Sequence, residues 1–264
     1  MLKQRIITAL LLAPLAVLVI LWTPHTVTMA VFAVLVVAGA WEWAAFPGWN
    51  SAPARIAYAG LMAAGIAALW TSMPESPRLD VVIDVAMLWW LAALAWIAFM
   101  PMRMNRAIAA VAGFLVLLPV WLALVRLHGR DPHLVLFLVL VVVAADVGAY
   151  FAGRAFGKHK LAPRVSPAKT WEGVFGGLAA SALMAGVGVY WFDVTPGPFL
   201  ALCLVVVVAS IVGDLTESLF KRHAGLKDSG SLLPGHGGVL DRVDSVTAAA
   251  PVFVFGLEWL GRLS

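Results

Sequence analysis

Nine long apolar stretches, separated by shorter polar connections, dominate the sequence. A helix needs about 17–25 apolar residues to cross the hydrocarbon core of a bilayer, and most of these stretches reach that length. They are continuously apolar and do not alternate, which argues against the strands of a membrane β-barrel. The predicted spans are 6–22, 27–46, 56–70, 81–100, 107–125, 134–151, 173–192, 199–220 and 246–260. The third span is short, so a re-entrant segment and a total of eight spans remain the alternative.

The composition explains why these stretches need lipid as their solvent. The chain has 264 residues, of which 62% are hydrophobic and 12% are charged, whereas a soluble domain has about 45–50% apolar and about 25% charged residues. The same excess of apolar residues excludes a disordered chain. A single cysteine, Cys203, excludes an internal disulfide. We therefore predict an all-α integral membrane protein, a polytopic bundle of about nine transmembrane helices, whose first span is an anchor and not a signal peptide.

The distribution of basic residues predicts how this bundle lies in the membrane. With the N-terminus in the cytoplasm, 14 of the 18 Lys and Arg residues fall on the cytoplasmic side of the nine spans, in agreement with the positive-inside rule. We divide the chain into residues 1–133, which hold spans one to five, and residues 134–264, which hold spans six to nine. Two polar segments of the second part, 152–172 and 214–245, are predicted to be long cytoplasmic loops.

Acidic residues are scarce in this chain, so their positions are informative. Asp146 lies within the sixth apolar stretch, although an ionisable group inside a span costs on the order of 2.5–3.5 kcal/mol. Five of the 14 acidic residues lie within residues 214–244. They are Asp214, Glu217, Asp228, Asp241 and Asp244. Spans six and eight run in the same direction, and span nine starts just after Asp244. We therefore expect Asp146, Asp214, Asp241 and Asp244 to converge at the cytoplasmic face.

Clustered carboxylates repel one another unless cations lie among them. Their hard oxygen atoms favour Mg²⁺ or a similar ion, which commonly binds substrate phosphates as well. The basic residues that lie among these acids in the sequence are suited to phosphate oxygens, and they are Lys221, Arg222, Lys227 and Arg242. A cation with basic side chains around phosphates favours phosphoryl or nucleotidyl transfer. The alternative is a solvated loop whose opposite charges pair with each other.

The two polar segments carry further candidate positions. The glycines of residues 234–238 allow the backbone to approach phosphates closely. We interpret His236 as a phosphate contact, with a general base or a turn residue as alternatives. In the earlier segment, Pro167 restricts Ser166 to extended backbone, and Thr170 is a candidate cap for the helix of span seven. The basic residues of that segment also suit anionic lipid headgroups, and the chain has no Walker A loop.

Two boxes in the second half of the chain resemble the signature of phosphatidate cytidylyltransferases, the CDP-diacylglycerol synthases. Every fixed position of that signature is filled across 27 residues, from Ser218 through Lys221-Arg222 and Lys227-Asp228 to the run 234–244. A second box runs from Asp146 to Ser166-Pro167-Ala168-Lys169-Thr170-Trp171-Glu172-Gly173, and Gly213-Asp214-Leu215-Thr216-Glu217-Ser218 joins the two boxes. The close resemblance covers residues 146–251, and the N-terminal half matches only as a series of hydrophobic spans.

This resemblance implies a dimeric, multi-pass enzyme of the bacterial cytoplasmic (inner) membrane that serves phospholipid biosynthesis. Such an enzyme condenses CTP with phosphatidic acid to CDP-diacylglycerol and pyrophosphate, with Mg²⁺ and room for a second cation, and without nucleic acid as a partner. The expected catalytic residues are Asp214, Asp241, Asp244, Lys221, Arg222, Lys227 and Arg242. The expected metal ligands are Asp146, Asp214, Asp241 and Asp244, and the expected substrate-binding residues are Ser166, Lys169, Thr170, Ser218, Asp228, His236, Gly237 and Gly238.

Three other functions share part of this pattern. A CDP-alcohol phosphatidyltransferase needs the run Asp-x-x-Asp-Gly-x-x-Ala-Arg, whereas Ser245 follows Asp244 in this chain. A polyprenyl-phosphate sugar-phosphate transferase would take a UDP-sugar in place of CTP. A cation transporter would distribute its acidic residues through the depth of the membrane, whereas the acids of this chain are predicted to gather at one face. The cytidylyltransferase is therefore the favoured interpretation.

Overall fold

The computed structural model describes residues 2–72, 78–99, 105–232 and 237–261. Over these ranges the chain forms nine helices and one two-stranded antiparallel hairpin. The helices are α1 (Leu2–Trp22), α2 (His25–Trp43), α3 (Ala52–Ser72), α4 (Arg78–Phe99), α5 (Arg106–Arg130), α6 (Pro132–Phe156), α7 (Trp171–Phe192), α8 (Pro196–His223) and α9 (Leu240–Trp259). The strands, which lie between α6 and α7, are β1 (Lys160–Ala162) and β2 (Ser166–Thr170).

Each of the nine predicted spans corresponds to one of these helices. Within the described ranges, seven helices, α2 to α8, are long and apolar enough to cross a bilayer. The third span, which the sequence predicts to be short, is a continuous helix of 21 residues, and this argues against a re-entrant segment at this position. The structure thus confirms the prediction of an all-α polytopic membrane protein.

Side-chain caps mark where several helices begin, because the first amides of a helix have no partner within it. The Asn105 side chain accepts a hydrogen bond from the backbone N–H of Ile108 at 2.8 Å, ahead of α5. The Asp131 side chain accepts a hydrogen bond from the backbone N–H of His133 and caps α6 in the same way. The Thr170 hydroxyl oxygen accepts from the backbone N–H of Gly173 at 3.1 Å, which confirms Thr170 as the cap of α7.

The polar segment 152–172, predicted as a loop, contains the β hairpin. The sixth helix continues to Phe156, and β1 then pairs antiparallel with β2. Ser166 lies at the start of β2 in extended backbone, in agreement with the restriction that Pro167 imposes. The hairpin brings Lys169, on β2, against α8.

The second polar segment, predicted as a loop over 214–245, is a much shorter connection. The eighth helix continues to His223, and α9 begins at Leu240. Charged residues extend α8 because they pair at helical spacing, and the amino group of Lys221 lies 3.1 Å from the carboxylate of Glu217, four residues earlier. Such pairs stabilise a helix where it leaves the apolar region. The predicted loop overlapped the predicted span 199–220, and the structure assigns the overlap and residues 221–223 to the helix, because polar composition alone does not separate a charged helix from a loop.

Small residues let α6 and α7 lie against each other over much of their length. A Cβ atom added at Gly148 would lie 2.5 Å from the carbonyl oxygen of Gly176, and one added at Gly177 would lie 2.9 Å from the carbonyl oxygen of Ala145. No side chain fits at these separations, so the glycines set the distance between the two helices.

A second close approach joins α8 to α9. A Cβ atom added at Gly213 would lie 2.6 Å from the carbonyl oxygen of Asp244. Because the backbones come this close, Asp214, the next residue of α8, lies in the same region as Asp244. From the N-terminal half, α2 packs on the start of α9, where a Cβ atom at Gly39 would lie 2.9 Å from the Leu240 side chain.

The α6–α7 contact predicts that substitutions of two glycines of α7 differ in their effect on the free energy of unfolding. A Cβ atom at Gly176 would overlap the side chain of Ala152, whereas one at Gly186 meets nothing within 4 Å. We expect Gly176→Ala to lower the free energy of unfolding by about 1–3 kcal/mol, the usual cost of overpacking. Gly186→Ala should leave it unchanged or raise it slightly. Denaturation of the purified proteins in detergent measures both values, and equal stability of the two variants would contradict the packing.

Candidate active site

A cavity of about 490 Å³ lies between α6, β2, α7 and α8. Its lining combines charged and polar side chains with apolar and small residues of the same elements. The polar lining includes Asp146, Tyr150, Arg154, Lys169, Thr170 and Asp214, and the apolar and small lining includes Ala145, Val174, Gly177, Val207 and Ile211. The cavity therefore suits a molecule that has both a charged and an apolar part.

An ion pair between β2 and α8 forms one side of this cavity. The Nζ atom of Lys169 lies 2.7 Å from Oδ2 of Asp214, and about a quarter of each side chain is exposed. Asp146, on α6, interacts electrostatically with both residues. Ser218, one turn after Asp214, donates its hydroxyl to Oδ1 of Asp214 at 3.3 Å. Three separate elements thus bring their charges together here.

Lys221 is shared between two acidic side chains at the junction of α8 and α9. Its Nζ atom lies 2.7 Å from Oδ1 of Asp241 and 3.1 Å from Oε1 of Glu217. All three side chains are buried, with 4% to 12% of their surface exposed. Buried charges of this kind are stable only when they are paired. The cluster therefore attaches the end of α8 to the first turn of α9.

Asp244 lies between these two groups of charges. It interacts electrostatically with Asp214 and with the ammonium groups of Lys169 and Lys221. Its Oδ1 atom accepts a hydrogen bond from the backbone N–H of Ser245 at 2.7 Å. The acids of α6, α8 and α9 therefore belong to one charged region, as expected from the directions of the helices.

Asp241 also organises the chain that precedes α9. Its Oδ2 atom accepts hydrogen bonds from the backbone N–H groups of Ser229 at 3.0 Å and of Gly238 at 2.9 Å. Gly237 has a backbone φ of +84°, a conformation that a residue with a side chain rarely adopts. The polar segment is thus folded back onto the first turn of the helix that carries Asp241 and Asp244.

The remaining predicted site residues are half-buried, exposed or outside the described residues. Ser166 is half-buried at the start of β2. Four residues have exposed side chains, namely Arg222, Lys227, Asp228 and Arg242. Arg222 donates its Nε–H to the carbonyl oxygen of Val165 at 3.4 Å, which joins α8 to the hairpin. His236 lies outside the described residues, so its predicted phosphate contact remains a prediction.

Several residues that the sequence analysis does not assign to the site take part in it. Glu217 is the second partner of Lys221. Arg154 donates from Nη1 to the hydroxyl of Tyr150 at 2.9 Å in the wall of the cavity. Glu42, from the N-terminal half, contacts the start of α9. Isolated acidic and basic residues beside apolar stretches are the signal that identifies such positions, but that signal does not specify their partners.

The donor chemistry of the charged region fits a hard divalent cation. Carboxylate oxygens from α6, α8 and α9 are the ligands that Mg²⁺ prefers, and this ion often binds to only one or two carboxylates, with water and phosphate completing its coordination. Within the described residues, no three acidic, histidine or cysteine side chains form a ready metal-binding group. The amino groups of Lys169 and Lys221 lie against two of the candidate ligands, Asp214 and Asp241.

Fold and site together define a class of protein, a polytopic membrane protein with charged residues in the wall of a cavity between its helices. The chain belongs to the Cytidylyltransferase family, whose model matches residues 3–260, and it is therefore a nucleotidyltransferase. It is similar to the phosphatidate cytidylyltransferase of Pseudomonas aeruginosa, with 46% identity over 98% of the chain and 97% of the relative. It is also similar to the phosphatidate cytidylyltransferase of Haemophilus influenzae, with 37% identity over 97% of the chain and 98% of the relative.

Because Lys221 pairs with two buried carboxylates, we expect its substitution to lower the free energy of unfolding strongly. Lys221→Met leaves two buried carboxylates without their cation, and we expect the free energy of unfolding to fall by about 3–5 kcal/mol. The double variant Lys221→Met/Glu217→Gln should recover part of this loss, because one of the two unpaired charges is removed. Lys158→Met, at an exposed position, is the matched control. Equal denaturation curves for Lys221→Met and Lys158→Met would show that the cluster does not stabilise the fold.

Proposed function

We infer that the chain is a phosphatidate cytidylyltransferase, which condenses CTP with phosphatidic acid to CDP-diacylglycerol and pyrophosphate. Full-length relatives of that name support this inference. The observation that carries it is the cavity, because its lining combines charged side chains with apolar and small ones. A lipid with a phosphate headgroup also combines a charged group with apolar chains, and its acyl chains can remain in the bilayer while the headgroup meets a water-soluble nucleotide.

The reaction is a transfer of the cytidylyl group to a phosphate oxygen. An oxygen of phosphatidate attacks the α-phosphorus of CTP, and a new P–O bond forms. The bond from the α-phosphorus to the oxygen that bridges to the β-phosphate breaks, and pyrophosphate leaves with its electron pair. A phosphate monoester is already largely ionised at neutral pH, so the attack needs no general base.

The basic residues of the site supply positive charge where this reaction concentrates negative charge. Lys169 lies in the wall of the cavity, where its amino group can shift from Asp214 to a phosphate oxygen. Lys221 is more deeply held by Glu217 and Asp241 and keeps the acidic residues of α9 in place. Fixed charges of this kind stabilise phosphoryl-type transition states because they need no reorganisation during the reaction. The exposed Arg222, Lys227 and Arg242 are proposed to meet the polyphosphate from the aqueous side.

We propose Mg²⁺ as the cofactor, with Asp214 and Asp244 as its main ligands and Asp146 in support. When bound, the ion neutralises the triphosphate and helps to orient it. Asp241 is less available, because Oδ1 is paired with Lys221 and Oδ2 accepts two backbone hydrogen bonds. Its role as a ligand stays a prediction, as does a second cation.

We also propose that the site faces the cytoplasm from the bacterial inner membrane, with the N-terminus on the same side. The distribution of Lys and Arg supports this orientation, and CTP is a cytoplasmic nucleotide. The homodimer that the family resemblance implies stays a prediction.

The direct experiment uses the purified full-length protein in detergent with phosphatidate and labelled CTP. We expect labelled CDP-diacylglycerol and an equal amount of pyrophosphate when Mg²⁺ is present, and neither product when EDTA removes it. Polyprenyl phosphate with a UDP-sugar should give no product. Consumption of the UDP-sugar without any CDP-diacylglycerol would replace the proposed function with that of a polyprenyl-phosphate transferase.

Substitutions in the charged region test the residue assignments. We expect Asp214→Asn and Asp244→Asn each to lower kcat by about 100-fold or more, the scale observed when one fixed electrostatic contact to a transition state is lost. Lys158→Ala, at an exposed position away from the cavity, should retain turnover close to that of the unmodified protein. Steady-state kinetics with labelled CTP measures all three. Near-normal turnover of either aspartate variant would remove that residue from the proposed metal site.

A further inference from the structure

Glu42, at the end of α2, is a buried carboxylate that reaches from the N-terminal half of the chain to the segment before α9. Only 1% of its surface is exposed. Its Oε2 atom accepts a hydrogen bond from the backbone N–H of Leu240 at 3.0 Å and one from the hydroxyl of Ser229 at 3.4 Å. Its Oε1 atom has no hydrogen-bond partner among the described residues.

Two glycines of the segment before α9 make room for this carboxylate. A Cβ atom added at Gly230 would overlap Oε1 of Glu42, and one added at Gly238 would lie 2.5 Å from its Oε2 atom. The segment therefore closes around the carboxylate from two sides. Glycine is needed at Gly230 because of Glu42, and at Gly238 because of both Glu42 and the hydroxyl of Ser229.

The first turn of α9 depends on Glu42 because no local residue replaces it. Val239, at the N-cap position, makes no side-chain hydrogen bond to the helix. The amide of Leu240 is instead satisfied by a residue 198 positions earlier in the sequence. A carboxylate at this end of a helix is also favoured by the helix dipole.

Glu42 and Asp241 both bind the segment that precedes α9. Ser229 donates its backbone N–H to Asp241 and its hydroxyl to Glu42, and Gly238 donates its N–H to Asp241 while it packs against Glu42. Asp241 is in turn paired with Lys221. A displacement of Glu42 therefore changes the support of the charged region without removing any charge from it.

We propose that Glu42 is a positioning residue for nucleotidyl transfer, which fixes the segment containing Ser229 and Gly238 and thereby the first turn of α9 with Asp241 and Asp244. The expected loss of turnover rests on the proposed function, whereas the expected loosening of the segment before α9 does not. Separate experiments test the structural and the kinetic effect.

The structural test is hydrogen–deuterium exchange of the purified full-length protein without substrates. Glu42→Ala should accelerate exchange in peptides that contain the amides of Ser229, Gly238 and Leu240. The matched control is Glu258→Gln, near the other end of α9, where Glu258 accepts a hydrogen bond from Arg126 at 2.8 Å. That variant should leave exchange of these peptides unchanged. Unchanged exchange in Glu42→Ala, or acceleration spread evenly over all helices, would overturn the proposal, and neither result depends on the reaction catalysed.

The kinetic test separates positioning from general loss of structure. Glu42→Ala should lower kcat with CTP by about 100-fold, the effect expected when catalytic groups are displaced by about 1 Å. The KM for phosphatidate should stay unchanged, because Glu42 is not among the residues that line the cavity. Glu42→Gln, which fills the same space and still accepts from Leu240, should restore most of kcat. A Gln variant as impaired as the Ala variant would overturn the positioning role.

Gly230→Ala tests the contact between Glu42 and Gly230 by changing the glycine in place of the carboxylate. This variant keeps the proposal testable if Glu42→Ala does not fold. Its methyl group should displace the carboxylate and produce the same local increase in exchange. In the double variant Glu42→Ala/Gly230→Ala the methyl group occupies space that the carboxylate has left. The two losses of kcat should therefore not add, as is usual for residues in direct contact. Fully additive losses would overturn the proposal.

Discussion

The structure depends on the pairing of charges where α6, α8, α9 and the hairpin meet. An isolated ion in an apolar environment is costly, so each buried charge needs a partner of opposite sign. Lys221 satisfies this requirement with Glu217 and Asp241, and Lys169 satisfies it with Asp214. In most of these pairs the lysine and the acid come from different elements. The same contacts that offset the cost of burial therefore assemble the site.

Close helix packing makes these pairings geometrically feasible. Gly213 allows α8 to approach the backbone of α9 at Asp244, and Gly148 allows α6 to approach α7. Lipid offers apolar surfaces as favourable as those of protein, so membrane helices associate through small residues and polar contacts and not through a hydrophobic driving force. Glycine and charge act together here, because the glycines bring the backbones close and the ion pairs fix which residues face each other.

The sequence predicted the spans well because the length of an apolar run is a local property. The convergence of Asp146, Asp214 and Asp244 was also predictable, since it follows from the number and direction of the spans. The partners of the lysines and the course of the polar segments were not predictable in the same way. The polar part of α8 looks like a loop until Lys221 is known to pair with Glu217. Glu42 gave the weakest signal, because its partners lie almost two hundred residues away in the sequence.

These long-range contacts change the interpretation of the N-terminal half. The resemblance of sequence motifs concentrates on residues 146–251, which suggests that the earlier helices only anchor the protein. In the structure, however, α2 contributes Glu42 to the start of α9, and its Trp43 ring packs against Phe220 with the ring centroids 5.0 Å apart. Phe220 is fully buried next to Lys221 in the sequence. Helix α2 therefore contacts the elements of the charged region both through the aromatic packing of Trp43 on Phe220 and through the hydrogen bond from Leu240 to Glu42. The N-terminal helices thus determine the geometry of a site whose charged residues lie in the C-terminal half.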